Sequence, residues 1–205
     1  MKPNFTQTQT FIHLSNGFAA ECMEGARYQF LAKMAEQQGY THIKTLCKVI
    51  AKNDMEHARR LYDVLLQYAG ETKVKVPVQY TFPYFKGNMV EWLSHSIENE
   101  RFEAEKMYPD AAKIAKTEGY ADIAAIFLMT AEVERCHMGV AQQLYEGLKK
   151  GTLYKSAISI KWKCDLCGYE AEGKEAWKEC PLCLAKQTAV QVPVDVGKTL
   201  PVKPK

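Results

Sequence analysis

Two short patterns, Asp54-Met-Glu-His57 and Glu134-Arg-Cys-His137, each set a carboxylate three residues ahead of a histidine, and they lie 80 residues apart. On an α-helix, residues i and i+3 share a face, so each pair can turn both donors to one side. Glu56 sits beside His57 but about 100° further round the helix, which leaves Asp54 as the better partner. Glu100 with Glu103, and Glu21 with Glu24, repeat the same spacing without a histidine. Five or more carboxylates cannot share an apolar interior unless cations neutralise them. The pattern therefore demands helices that converge on metal. Two divalent ions bring four positive charges, and a set of hard oxygens with two imidazoles suits iron or manganese.

The sequence around these patterns reads as helix. Apolar residues recur at three- and four-residue spacing through 16–150, interrupted by Pro77, Pro83 and Pro109 alone among prolines. Four helices are expected, near 16–38, 41–69, 88–117 and 120–149. Gly39 separates the first two and Gly119 the last two, and such short links favour antiparallel neighbours. Residues 74–87, VKVPVQYTFPYFKG, are β-branched, aromatic and proline-bearing, so they form a non-helical crossover along the bundle. Pro109 falls inside the third helix and is expected to kink or split it. An internal repeat supports this layout. The offset of 80 residues that relates the two acid-x-x-His patterns also aligns QQGYTHI at 37–43 with TEGYADI at 117–123, and Tyr28 with Tyr108. Two related helix pairs joined by a long crossover make a four-helix bundle. Tyr28 and Tyr108 fall near the level of the acids and can hydrogen-bond them from behind, or simply pack. His13, His42 and His95 lack ligand spacing, and Cys22, Cys47 and Cys136 read as small buried hydrophobes.

After Lys150 the composition changes. Residues 151–160 read as a linker or first strand, and 161–205 as a second, small domain after a first one at 1–150. Cys164-Asp-Leu-Cys167 and Cys180-Pro-Leu-Cys183 are two CxxC knuckles that can place four thiolates tetrahedrally round one ion. Forty-five residues bury little core, so a metal staple is expected to hold them. The motif leaves zinc and a single iron open: one would be structural, the other a one-electron carrier. The N-terminal stretch shows no apolar signal core, and no apolar run approaches the roughly 18–20 residues of a membrane span. Paired cysteines without a secretory signal fit a reducing compartment, so a cytoplasmic location is expected, with no membrane partner. Lys and Arg number 27 against 24 Asp and Glu, a net charge of +3, which argues against nucleic-acid binding.

Taken in order, AAECMEGARYQF, EQQGY, DMEHARRL, ENERFEAEKMYPDAAKIAKTEGY, AEVERCH and KWKCDLCGYEAEG with CPLC resemble the rubrerythrin family over nearly the whole chain. The resemblance implies a mainly α fold: a ferritin-like di-iron four-helix bundle followed by a small β-rich rubredoxin-like domain. It selects Glu21, His57, Glu100, Glu103, Glu134 and His137 as ligands of two iron ions. Asp54 stands where the family carries Glu, a carboxylate shorter by one methylene. Cys164, Cys167, Cys180 and Cys183 are the implied cage of a third iron. The resemblance further implies reduction of H2O2 to water, with electrons entering through the iron–tetrathiolate centre from a separate NAD(P)H-dependent reductase or a rubredoxin. It also implies a head-to-tail homodimer that brings one subunit's tail to the other's di-iron site. Two other readings stay open on the residues alone: an O2-linked ferroxidase that detoxifies iron, and a non-redox metal-binding protein with a zinc tail.

Overall fold

The computed structural model describes residues 4–70, 75, 78–79, 81 and 86–195. Helix α1 runs Gln9–Gln37 and α2 Thr41–Ala69. Then come α3, Met89–Phe102, a π-helical turn at Glu103–Met107, α4, Tyr108–Thr117, and α5, Ala121–Lys150. Because α3, the π-turn and α4 follow without a break, they form one rod, and four rods make the ferritin-like bundle. α1 packs chiefly on α2, and α5 chiefly on α3 and α4. The crossover expected at 74–87 lies mostly outside the described residues, as does 196–205 of the tail.

The internal repeat is realised bond for bond in the two tight turns. Tyr40 N–H reaches the Ala35 carbonyl at 2.9 Å and Tyr120 N–H the Ala115 carbonyl at 2.8 Å. Gly39 and Gly119 donate to Glu36 and Lys116, both at 3.1 Å. Both glycines have left-handed backbone, φ 78° and 85°, which an L-residue adopts only with strain.

One helix boundary differs from expectation. α1 begins at Gln9 rather than near 16. Thr8 caps it by accepting the Phe11 amide at 3.1 Å. Glu118, from the α4–α5 turn, accepts the Gln9 and Thr10 amides at 3.0 and 2.8 Å and the Thr10 hydroxyl at 2.6 Å. A carboxylate at a helix N-terminus satisfies free amides and meets the positive end of the helix dipole. The expected split at Pro109 takes the form of a change of register: α3 ends at Phe102 and α4 begins at Tyr108, and the rod runs on through the π-turn between them. The wider π-turn just before Pro109 carries the Tyr108 amide back to the Glu103 carbonyl, five residues away, and makes room for the proline ring.

The bundle interior has two apolar clusters rather than one. Leu31, Ile43, Ile50, Leu93 and Leu144 belong to the first, and Leu14, Leu61, Val64, Ile123 and Phe127 to the second. The carboxylates and histidines of the sequence patterns fall between them along every rod. Burying apolar side chains on both sides of this layer fixes the rods strongly enough to hold it in place.

The tail holds a two-stranded antiparallel ladder, β1 at Lys155–Lys163 and β2 at Glu170–Glu175. β1 starts inside the 151–160 stretch. The alternating AVQVPV segment near 189–194 is not a strand; its one ladder contact is a bridge between Val190 and Cys164. The tail rests on the bundle end formed by the α1–α2 turn and the end of α5. Val192 N–H donates to His42 Nδ1 at 2.9 Å, Gln143 exchanges two hydrogen bonds with the Asp195 backbone, and Val192 joins the first apolar cluster. Among the described residues, no helix is long and apolar enough to cross a membrane.

Candidate metal centres

Each rod delivers its acids to the layer. Glu21 comes from α1, Asp54 and His57 from α2, Glu100 from α3, Glu103 from the first residue of the π-turn, and Glu134 and His137 from α5. Their donor atoms form three groups, each within 4.8 Å: Glu21, His57 and Glu134; Asp54, Glu134 and His137; Glu100, Glu103 and Glu134. Glu134 is common to all three. One of its oxygens faces His57 Nδ1 at 2.8 Å and the other faces His137 Nδ1 at 2.7 Å. His57 Nδ1 also lies 3.2 Å from Glu21, and His137 Nδ1 lies 3.3 Å from Asp54. Glu56 points outward and pairs with Arg59 at 2.8 Å.

Six of these seven side chains are buried, and His57 alone is open, with 17% of its side chain exposed. Both oxygens of Asp54 and of Glu100, and one of Glu103, have no hydrogen-bond partner. Buried orphan carboxylate oxygens are costly unless a cation meets them, so the layer fits a pair of metal ions. The electrostatics agree. Burial, then repulsion from Glu134 and Glu21, pushes Asp54 up to about 10. Burial drives Glu100 and Glu103 well above the carboxylate range, and burial with Glu134 takes Glu21 to about 7. Glu134 is the exception. Burial works against its charge, but hydrogen bonds from His137 and His57 outweigh it and bring Glu134 to about 2. His57 rises to about 10, because Glu134 and Glu21 overcome its burial. Without metal, protons take the place that cations would fill.

Tyr108 donates its phenolic hydrogen to Glu21 and so orients that carboxylate from behind. Tyr28, its counterpart in the repeat, is equally buried and stands against Glu100. Glu24 also enters the interior, where Arg27 Nη1 donates to it at 2.6 Å. That pairing keeps it apart from the donor groups. Asp54 reaches the layer where α1 and α2 run close. A Cβ on Gly25 would stand 3.3 Å from the Ala51 carbonyl and 3.3 Å from Met55 Cγ, one turn from Asp54.

In the tail, the four cysteine sulfurs all lie within 4.8 Å of one another. Cys164 Sγ is 3.7 Å from Cys183 Sγ, and Cys167 Sγ is 3.6 Å from Cys180 Sγ. A tetrahedron with metal–sulfur bonds of about 2.3 Å has edges of about 3.8 Å, so the cage is the right size for one ion. Both knuckles use one turn: Gly168 donates to the Cys164 carbonyl at 3.0 Å and Leu184 to the Cys180 carbonyl at 2.9 Å. Burial of Cys180 is outweighed by amides of Cys183 and Leu182, which bring that thiol down to about 7.

A family model described as Rubrerythrin matches residues 13–145, with an overlapping match at 91–159, and one described as Rubrerythrin, rubredoxin-like domain matches 162–189. The chain belongs to the rubrerythrin family. It is 31% identical to a rubrerythrin of Clostridium perfringens, over 90% of this chain and 94% of that one. It is 30% identical to a rubrerythrin of Nitratidesulfovibrio vulgaris, over 86% and 90% respectively. Solved structures of nigerythrin in its mixed-valent and fully reduced, all-ferrous states share the fold, with TM-scores of 0.60 at 22% identity. They cover 89% and 92% of this chain, and 86% and 91% of nigerythrin. This rubrerythrin homologue thus carries a carboxylate–histidine site of di-metal type and a four-cysteine site. Arg27 and Arg135, both set against the layer, were not singled out in the sequence. Both carry an i,i+3 acid, Glu24 and Glu132, but the backbone carbonyl that Arg135 also reaches leaves no signal in the sequence.

Proposed function

We propose that this rubrerythrin reduces H2O2 to water at a di-iron site built by Glu21, Asp54, His57, Glu100, Glu103, Glu134 and His137. The observation that carries the reading is Glu134, whose two oxygens face the two histidines inside a layer where Asp54, Glu100 and Glu103 keep orphaned carboxylate oxygens. One carboxylate is so placed that it can serve two ions at once. Iron is favoured over manganese by the all-ferrous state of nigerythrin, which shares the fold. Two ferrous ions held by these residues would supply the two electrons that, with two protons, turn H2O2 into two waters. The protein's part is to hold and shield. His57 stands at the only open edge of the layer among its seven side chains, beside a groove of about 170 Å³ lined by Arg60, Ile126, Met129, Thr130 and Val133. Its largely apolar wall admits a small neutral peroxide and limits bulk water. Tyr108 keeps Glu21 aimed while the charge of the layer changes.

With iron held by Cys164, Cys167, Cys180 and Cys183, the tail would return electrons singly from an NAD(P)H-dependent reductase or a rubredoxin. The tail rests beyond the C-terminal end of α1, and Glu21 lies sixteen residues, or about 24 Å of helix, before Gln37. That span supports a head-to-tail homodimer in which the partner's tail serves this layer. The test mixes iron-loaded, fully reduced protein with H2O2 and, separately, with O2 in a stopped-flow instrument. Faster oxidation by H2O2 than by O2 is expected, and a red ferric tetrathiolate colour should bleach on reduction. Faster oxidation by O2 would replace this reading with a ferroxidase, and a colourless, zinc-loaded tail would remove the electron route.

A further inference from the structure

The π-turn that carries Glu103 leaves the Ala104 carbonyl without a helical donor. Tyr108 gives its N–H to Glu103, and Pro109, the residue five beyond Ala104, has no N–H to give. Ala104 is fully buried, so water does not make up the loss. Arg135 fills the gap: its Nη2 donates to the Ala104 carbonyl at 3.2 Å, while its Nη1 is anchored by Glu132 at 2.8 Å. Arg135 follows Glu134 on α5, and Ala104 follows Glu103 on the π-turn. The single bond thus ties the neighbour of one carboxylate to the neighbour of another across two rods.

We propose that Arg135 is a positioning residue that stands in for the amide missing at Pro109, holds the π-turn in its wide register and so keeps Glu103 against Glu134. The proposal rests on the reading of Glu103 and Glu134 as metal ligands. A π-turn is one residue wider than the α-helical register, and losing that width swings Glu103 round the helix by about 100°. With the Ala104 carbonyl satisfied from α5, the wide register costs no buried orphan. Glu103 is then offered at a fixed depth rather than in two alternatives.

The test uses the full-length chain with Arg135→Ala, Arg135→Lys, Pro109→Ala and the double change Arg135→Ala with Pro109→Ala. Each is titrated with Co(II), read by affinity and by the visible ligand-field bands. Arg135→Ala is expected to weaken one of the two bundle sites roughly 10- to 100-fold, the range for partners behind a ligand, and to shift its bands. Arg135→Lys, which can still donate to one carbonyl, should keep most of the affinity. The double variant should recover part of the loss, because the new amide at 109 can reach Ala104. Wild-type Co(II) affinity and bands in Arg135→Ala would overturn the proposal, as would a loss that neither Lys nor the second change recovers. If Arg135→Ala fails to fold, near-native Co(II) bands in the Lys and double variants support the proposal and weakened sites in both overturn it. Failure of the unaltered chain to bind two Co(II) ions in the bundle would instead sink the di-metal reading itself.

Discussion

Stripping the metals should make the bundle least stable where a soluble protein is usually comfortable. The unfolding free energy changes with pH in proportion to the protons bound by the unfolded chain minus those bound by the folded one. In the metal-free layer Asp54 holds its proton up to about pH 10, against about 3.9 for an unfolded aspartate. Between pH 5 and 8 the folded chain therefore keeps a proton that the unfolded chain has lost. Each such proton lowers stability by about 1.4 kcal/mol per pH unit, or about 4 kcal/mol across the window for Asp54 alone. Glu100 and Glu103 are shifted upward by the same burial and act in the same direction. His57, raised to about 10, adds to the fall above its unfolded value near 6.5. Glu134, lowered to about 2, has the opposite sign, but its contribution is lost only below about pH 4.5, outside the window. Against total stabilities of about 5–15 kcal/mol, even one such proton is a large fraction. Urea midpoints of the chelator-treated chain, read by far-UV circular dichroism, should fall steadily from pH 5 to pH 8. Added Mn(II) should flatten or reverse the slope, because metal displaces the protons. A metal-free midpoint that is level or rising across this window would mean that the acids do not share a dry layer.

Asp54→Ala should weaken one bundle metal at least about tenfold in a Co(II) titration, while Asp54→Glu, at a position 1% exposed, should cost about 1–3 kcal/mol of stability without tightening the site. Cys167→Ser should abolish steady-state peroxide turnover from an external reductant yet leave a pre-reduced bundle able to consume one equivalent of H2O2, as single-turnover mixing will report. Leu184 has left-handed backbone at φ 60° with its side chain exposed, so Leu184→Gly should stabilise the tail by about 0.5–1 kcal/mol, measured as a later thermal loss of thiolate-to-metal absorption.

The parts legible in the sequence are those enforced by local periodicity. The 80-residue offset relates both tight turns, both acid-x-x-His pairs and the two tyrosines, and a repeat of that length leaves little choice of architecture. What stayed hidden depends on contacts between distant segments. α1 starts at Gln9 because Glu118, more than a hundred residues on, accepts its first amides. The π-turn is stable because α5 supplies a donor to Ala104. His42, which lacks ligand spacing, proves to accept the Val192 amide where the tail meets the bundle. The two tyrosines related by the repeat meet different acids: Tyr108 reaches Glu21, whereas Tyr28 stands against Glu100.

The shorter carboxylate at 54 is best understood together with its neighbours on α1. An aspartate reaches about 1.5 Å less far than a glutamate, the length of one carbon–carbon bond. Ligand contacts tolerate only about 0.2 Å, so the backbone must supply the difference. Gly25 and Ala51 are the smallest residues available at the α1–α2 contact one turn from Asp54, and the Gly25 Cα stands where any Cβ would press on the Ala51 carbonyl at 3.3 Å. The carbonyl belongs to the backbone and cannot rotate aside as a side chain can. A Cβ at 25 would therefore press on α2 and require it to give by a few tenths of an ångström beside the turn that carries Asp54. A glycine inside a helix costs roughly 0.5–1 kcal/mol relative to alanine. Here that cost secures a close approach of the two rods one turn from the short acid at 54.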